Sequence, residues 1–448
     1  MPVFEGAVFK GYSFFGNVVF HKGVLFNGVE FCDVADFRET VFENHAVFEE
    51  AVFKNEATFW KARFHKGVSF ESVTFKDEID FAEITFKEEA VFRKADFKNR
   101  VYFKVTNESL PFVFNLSGIK LSKSSYIEVR NLRTLKLALN NVNNTTDNFL
   151  FFDMKIEKFK DLEENRRRNL RRENYLPNIE IKSSILNNMK FINCDFSEAE
   201  QIKIENSSLT ETEFINVDWG GISEKRICPK LFEGSPEEVE KARDVYRQLK
   251  LALDNQKDHI NANEFYSLEM KAYERVLQEK PWRTHFQKKL VFSIHKFASN
   301  FGQSWLRPLI LLILLTIGEM GAQLDFKSFV DKCFYFLIPY PLIVPSLSLL
   351  LLIFKKRENL LLWGISVIFA LSGFIAFNEA LPCISSPPDN WQLTLKILLE
   401  NFAETLNIFS LFRNNQVINI KFLHTLYSIA IAFLTYQMIV AIRRQVRR

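Results

Sequence analysis

The feature that most constrains this chain is the spacing of its phenylalanines. They run Phe15, Phe20, Phe26, Phe31, Phe37 and onward through Phe92, Phe97 and Phe103, alternating steps of five and six residues without a miss. A small or β-branched residue stands two positions before nearly every ring, as at Ala35, Thr40, Ala46, Ala51, Ala57, Ala62, Val68, Val73, Ile79, Ile84, Ala90, Ala95 and Val101. Most other positions are Lys, Glu, Asp, Asn or Gly. A right-handed helical supercoil also repeats in elevens. At about 100° per residue, however, offsets of 0, 3, 5 and 9 fall at roughly 0°, 300°, 140° and 180°, so no single helical face gathers the apolar residues. Extended backbone does gather them, because positions i−2 and i point to the same side of a strand. Each five- or six-residue unit is therefore expected to be a short strand followed by a polar corner.

Units this short cannot bury their inner faces alone and must stack into a solenoid with one shared core. The xAxFxxxxxAxF pattern resembles the pentapeptide-repeat proteins, in the subset that prefers Phe at the central position. That resemblance implies a right-handed quadrilateral parallel β-helix with four units per coil, and the five-six alternation then sets about 22 residues per coil. It covers residues 1–104 as a regular Phe-rich solenoid. It returns over 181–220 at Phe191, Phe196, Ile204, Leu209, Phe214 and Trp219, mostly in steps of five. Between 105 and 180 the beat is lost. Ile119, Leu121, Ile127, Val129, Leu132, Leu135, Leu137 and Leu139 suggest irregular strands or degenerate coils, and NNVNNTTDN, residues 140–148, reads as a loop. EKFKDLEENRRRNLRREN reads as a charged helical insertion, either an ordinary solvated helix or one whose Arg166, Arg167, Arg168, Arg171 and Arg172 touch anionic lipid.

Residues 22 apart should stack. After every fourth ring, Phe9, Phe31, Phe53, Phe75 and Phe97, come Lys10, Cys32, Lys54, Lys76 and Lys98; another column holds Glu5, Asn27, Glu49 and Glu71. Lys54, Lys76, Lys98, Glu49 and Glu71 form the candidate interaction surface. They make either a solvated face that discourages edge-to-edge aggregation or a docking stripe for an anionic partner, the protein partner of the solenoid being unknown. His21 and His65 should share a column two coils apart, with Glu43 between them. Some proteins of the family imitate duplex DNA, but residues 1–104 hold 14 Lys plus Arg against 17 Asp plus Glu, and the whole chain is only +4, which argues against nucleic-acid mimicry. Cys32, Cys194, Cys228, Cys333 and Cys383 show no CxxC pair, so buried thiols are expected rather than disulfides or zinc. With no phosphate-binding glycine loop, GxSxG or HExxH, the expectation is no enzyme, no cofactor and no metal.

A helix start is clear at Ser235-Pro236-Glu237-Glu238, where serine caps, proline fits the first turn and Glu238 completes a capping box. Two apolar stripes follow, Ala242, Val245, Tyr246, Leu249, Ala252, Leu253 and then Ala262, Phe265, Tyr266, Glu269, Met270, Tyr273, Leu277. They predict a helical hairpin within a linker over 235–300, with Glu269 paired to a cation such as Arg247. The segment looks like the helical linker of membrane-bound pentapeptide-repeat proteins.

Residues 306–448 read as an α-helical transmembrane domain with about four spans, at 306–323, 330–354, 360–378 and 420–442. Basic clusters at Lys280 to Arg307, Lys355 to Arg357 and Arg443 to Arg448 then all fall on one side of the bilayer. MPVFEGAVFKG has no signal-like segment, so both termini are expected in the cytoplasm of a multi-pass protein of a bacterial inner membrane. Residues 391–412, WQLTLKILLENFAETLNIFSLF, are expected to lie on the membrane or re-enter it. Glu319, Glu379, Glu400, Glu404 and Gln437 are the candidate pore or membrane-polar residues. The resemblance allows a pore helix and filter here, but no TVGYG-like filter is present. The expected function is a cytosolic scaffold or sensing surface tethered to the lipid bilayer. The alternative is a regulated oligomeric ion pore or membrane-disrupting effector, formed as a homo-oligomer.

Overall fold

The computed structural model describes residues 1–107, 113–158, 177–323 and 418–446. Two-residue strands recur on the expected beat at Val8–Phe9, Ser13–Phe14, Val19–Phe20 and Val24–Leu25, then one coil later at Glu30–Phe31, Ala35–Asp36, Val41–Phe42 and Ala46–Val47. All pair in parallel, and in the regular part each residue meets the one 22 positions on: Val8 with Glu30, Phe9 with Phe31, Ala57 with Ile79, Phe64 with Phe86. Four such ladders make a parallel β-solenoid of about eight coils.

The alternation of five and six has a backbone cause. In every five-residue unit the second residue after the ring is left-handed: Gly6, Asn17, Gly28, Glu39, Glu50, Lys61, Ser72, Glu83 and Lys94 have φ between 54° and 65°. The next N–H then returns to the ring residue's carbonyl, Ala62 to Phe59 at 2.9 Å and Ala51 to Phe48 at 3.1 Å. This is a tight turn with its third residue left-handed, as in type II. The left-handed residue's own N–H joins the stack, Glu39 donating to Trp60 and Lys61 to Ala82. Among residues 1–104 the six-residue units hold no left-handed residue and round their corners with one residue more. Side chains at these left-handed corners cost roughly 1–2 kcal/mol each, so the core must more than offset them.

That core is made of ring stacks. Phe26, Phe31, Phe37, Phe42, Phe48 and Phe59 are fully buried. Up the solenoid the rings lie face to face, Phe37 on Phe59 at 4.7 Å and 2°, Phe42 on Phe64 at 4.6 Å and 2°. Across it they meet edge to face, Phe37 with Phe48 at 5.5 Å and 88°, Phe48 with Phe59 at 5.6 Å and 86°. Each such contact is worth about 0.5–1.5 kcal/mol beyond the area it buries. Alanine two positions earlier, as at Ala35, Ala46, Ala57 and Ala62, leaves room beside each ring and is itself buried.

The ladders run on through the stretch where the sequence loses its beat. Phe103 pairs with Val129, Val129 with Phe151, Phe151 with Phe191 and Phe191 with Phe214. The step from Phe151 to Phe191 contains residues 159–176, so the expected charged insertion and its arginines lie outside the described residues. Residues 140–148, read as a loop, form one side of a coil: Asn143 bridges Ile185, and the Asn144 side-chain amide donates to the Asn187 carbonyl at 2.6 Å.

Opposite charges are stacked one coil apart on the outside, Lys66 with Glu88 at 2.8 Å and Arg93 with Glu71 at 2.5 Å, and the His21 ring is hydrogen-bonded to Glu43 at 2.9 Å. Such exposed cross-strand pairs add only about 0.2–1 kcal/mol each. Glu180 is held harder. Burial alone would raise its carboxyl, but hydrogen bonds from Lys136 and Lys182, at 2.7 and 2.8 Å, bring it down from 4.5 to about 2. A depressed carboxyl stabilises the fold fully above its unfolded value and loses that contribution as pH falls through the folded one. Glu180→Gln is therefore expected to flatten the acid limb of stability between about 4.5 and about 2, read as urea midpoint against pH. An unchanged acid limb would refute this assignment.

The solenoid's last described coil is closed by helices. Pro229–Glu233 leads into Pro236–Asn255 and His259–Glu279. Ser235 accepts from the Glu238 amide and Glu238 from the Ser235 amide, which is the predicted capping box. Val239, Ala242, Val245, Tyr246, Leu249, Ala252 and Leu253 are buried, as the first stripe predicts. The second stripe is rotated: Ala262, Phe265, Leu268, Glu269, Ala272, Val276 and Leu277 are buried, while Tyr266, Met270 and Tyr273 are half-buried. Glu269 pairs with Lys250 at 3.2 Å rather than with Arg247, which binds Asp244 at 2.7 Å on its own helix. The reason is the angle between helices: Lys250, not Arg247, faces the buried side on which Glu269 sits.

The chain divides into two compact units, one built on Met1–Phe292 and one on Ser293–Gln445, with the boundary inside the Trp282–Ser299 helix. In the second, Leu306–Gln323 and Ile418–Val446 are helical and Ala298, Leu312, Ile431 and Leu434 pack together. Gln437 is 3% exposed; its side-chain oxygen accepts from the Ser299 hydroxyl at 2.8 Å, so its polar group is satisfied inside this unit. Among the described residues no helix is long and apolar enough to cross a membrane. The expected spans at 306–323 and 420–442 fall on the helices Leu306–Gln323 and Ile418–Val446. The other two expected spans, residues 391–412, Glu379, Glu400 and Glu404 lie outside the described residues, and Glu319 falls on the Leu306–Gln323 helix.

Candidate interaction surface

With the interior filled by rings, the chemistry of the solenoid is on its outside. Among the described residues no group of His, Cys, Asp or Glu is arranged to hold a metal. Cys194 and Cys228 are buried, and burial pushes both thiols up to about 12, which leaves them inert as nucleophiles. Cys32 is half-buried, and Cys333 and Cys383 lie outside the described residues.

The lysine and glutamate columns form at the expected 22-residue register, but they are not rows of like charge. Lys54 is bonded to Glu30, and Lys98 to Asp96 at 2.8 Å. Glu49 accepts from the Ser69 hydroxyl at 2.9 Å, and Glu71 takes both Arg93 and, at 4.0 Å, Lys94. Lys76 is exposed and has no ion-pair partner among the described residues. Asp33 and Asp77 act as local caps for the Val34 and Glu78 amides rather than as counter-ions to the lysines. These columns are therefore largely self-neutralised.

A different face carries aromatic and charged side chains of mixed type, and its ladder brings the residues together. Phe14, Asp36, Thr58, Asp80, Tyr102 and Glu128 point outward in one column, each paired in register with the next. Asp36, Thr58 and Asp80 each cap their own corner by accepting from the amide two residues on, Arg38, Trp60 and Ala82. Around this column lie aromatic rings paired with cations: Lys61 over Trp60 at 4.1 Å, Arg100 over Tyr126 at 5.6 Å and Arg130 over Phe152 at 4.4 Å.

The acids of this column differ. Asp36 is 1% exposed; burial opposes its charge, but hydrogen bonds from Arg38 and from the Tyr12 hydroxyl, at 2.7 Å, hold its carboxyl below the usual range. Asp80 has its carboxyl raised by burial and by nearby Glu83, with only the Ala82 amide opposing this. The sequence contains each of these residues, but they fall on positions that vary from coil to coil, so no repeat pattern marks them. Only the 22-residue stacking of residue i−1 of each ring would have found them.

Residues 26–74 match the family model described as pentapeptide repeats (9 copies). Neither curated proteins nor solved structures gave a match to the chain. Residues 26–74 therefore carry pentapeptide repeats, and the parallel β-solenoid to which they belong extends beyond them on both sides.

Proposed function

We propose that this protein is a recognition scaffold whose solenoid presents the aromatic and charged ridge of Tyr12, Arg38, Trp60, Tyr102, Tyr126 and Arg130 to a protein partner. The observation that carries this reading is the composition of the ridge. Tyr, Trp and Arg are the side chains that dominate binding energy at protein interfaces, and here they stand on the short strands and adjoining corners of a stacked core, so little ordering entropy is lost on docking. The self-neutralised lysine and glutamate columns serve solubility and register. On the same reading, the apolar runs beyond Arg307 hold the scaffold at a bilayer; this part rests on sequence alone, and alkaline carbonate extraction of the full chain tests it.

The ridge is tested with a photo-crosslinking amino acid placed at Trp60 and, as a control, at Lys76. A discrete adduct is expected from position 60, absent from position 76 and abolished by Arg38→Glu. Equal labelling from both positions, or an adduct indifferent to Arg38→Glu, would remove the ridge from the proposal.

A further inference from the structure

Beyond the solenoid and its helical cap, one element of the first unit exposes apolar side chains. Trp282, Phe286 and Leu290, on the Trp282–Ser299 helix, are 56%, 47% and 43% exposed. The residues are four apart and so follow one face, although His285, at φ −119° and ψ 17°, kinks the helix between the first two. The rings of Trp282 and Phe286 meet edge to face at 5.6 Å, and the Lys289 ammonium lies 5.5 Å from the Trp282 ring. Arg283 and Lys288 are exposed nearby.

The charge pattern is one-sided. From Lys280 to Gly318 the sequence contains Lys280, Arg283, Lys288, Lys289, Lys296 and Arg307 and not one Asp or Glu. On the solenoid, by contrast, many basic side chains are matched by acids one coil away, as Lys66 with Glu88, Arg93 with Glu71 and Lys136 with Glu180 illustrate. An exposed Trp–Phe pair edged by cations, with no acid in the segment, has the chemistry of a helix lying in a membrane interface: rings at the headgroup level, ammonium and guanidinium groups on the phosphates.

We propose that the Lys280–Phe292 segment is a peripheral docking element for an anionic lipid surface, with Trp282, Phe286 and Leu290 entering the interface and Lys280, Arg283, Lys288 and Lys289 holding the headgroups. This inference is independent of the ridge. It is also independent of whether the chain beyond Arg307 enters the bilayer, because an interfacial helix needs no spanning length. The lipid surface is favoured over a protein groove by charge complementarity: every charged residue flanking the apolar stripe is a cation, which matches anionic headgroups.

The test uses the full chain with vesicles of neutral phosphatidylcholine and of phosphatidylcholine with 30% phosphatidylglycerol. Binding to the anionic vesicles is expected to be about tenfold or more stronger, to weaken with salt, and to fall by a similar factor in the Lys288→Gln/Lys289→Gln variant. The second readout holds even if other segments anchor the chain. In anionic vesicles containing bromolipid, the emission lost on Trp282→Phe should be blue-shifted and quenched by the bromines. Emission from Trp282 that is quenched by aqueous iodide, or shielded from both quenchers by a protein surface, would overturn the proposal, as would equal binding to both vesicle types with no effect of the glutamine variant.

Discussion

Replacing Phe59 with alanine is expected to lower the unfolding free energy by about 3–5 kcal/mol, measured by urea denaturation followed in the far-UV. The ring is fully buried, stacked on Phe37 at 4.7 Å and Phe81 at 5.2 Å, and touched edge-on by Phe48 and Phe70 at 5.6 and 5.4 Å. Truncation removes its burial and opens a void between two coils that backbone hydrogen bonds hold at fixed spacing, so the walls cannot close on it. Phe59→Leu should lose less, since it refills part of the space but cannot stack. Lys76→Ala, on the solvated surface of the adjoining coil, should stay within about 0.5 kcal/mol. Because each coil touches only its neighbours, the loss should be felt first in the coils above and below. Amide exchange would then quicken from about residue 37 to residue 81 before it does elsewhere. A Phe59→Ala loss under about 1 kcal/mol would mean that the stacks do not carry the fold.

The readability of this chain follows the strictness of its repeat. Where a large ring must meet a large ring one coil on, the sequence has no freedom, and the register of 22, the inward rings and the small companions such as Ala57 and Ala62 are all evident from spacing. Between 105 and 180 the ladders are filled by Val129, Leu137, Phe151 and Ile156, and coil length varies because corners absorb insertions without breaking the pairing. Periodicity along the chain disappears there although periodicity up the stack does not. The same logic explains the surface. The lysine column was visible because Lys54, Lys76 and Lys98 repeat. Its neutralisation by Glu30 and Asp96 was not, because the counter-ions come from different offsets on neighbouring strands. In the column Phe14, Asp36, Thr58, Asp80, Tyr102 and Glu128, by contrast, no residue type is followed by itself one coil on. In the hairpin, the capping box was legible because it is local, within four residues. The partner of Glu269 was not, since it depends on how one helix is turned against another.

Trp219→Ala is expected to be comparably severe, at about 3–5 kcal/mol, and to act on the opposite end of the solenoid. Trp219 is 2% exposed and packs against Phe196 and Phe214 of the last coils, at 5.5 and 5.1 Å, and against Phe265 of the hairpin at 5.2 Å. It is the ring on which the helices sit, so its removal loosens the lid as well as the core. The lid matters because a terminal coil leaves backbone donors with no further strand to receive them. Two glutamines of the first hairpin helix take that place: Gln248 accepts from the Leu209 amide at 2.7 Å and Gln256 from the Phe214 amide at 2.9 Å. Losing the Gln256 acceptor by Gln256→Leu should cost about 1–3 kcal/mol, the penalty of a donor left without a partner. Combined with Trp219→Ala it should cost less than the sum, since both changes release the same edge. Amide exchange separates this from a general loss of stability. The amides of Leu209 and Phe214 should lose protection in either variant while those of residues 37–81 keep theirs. If all of these amides quickened together, the hairpin would not be a cap but part of one cooperative block with the first coils.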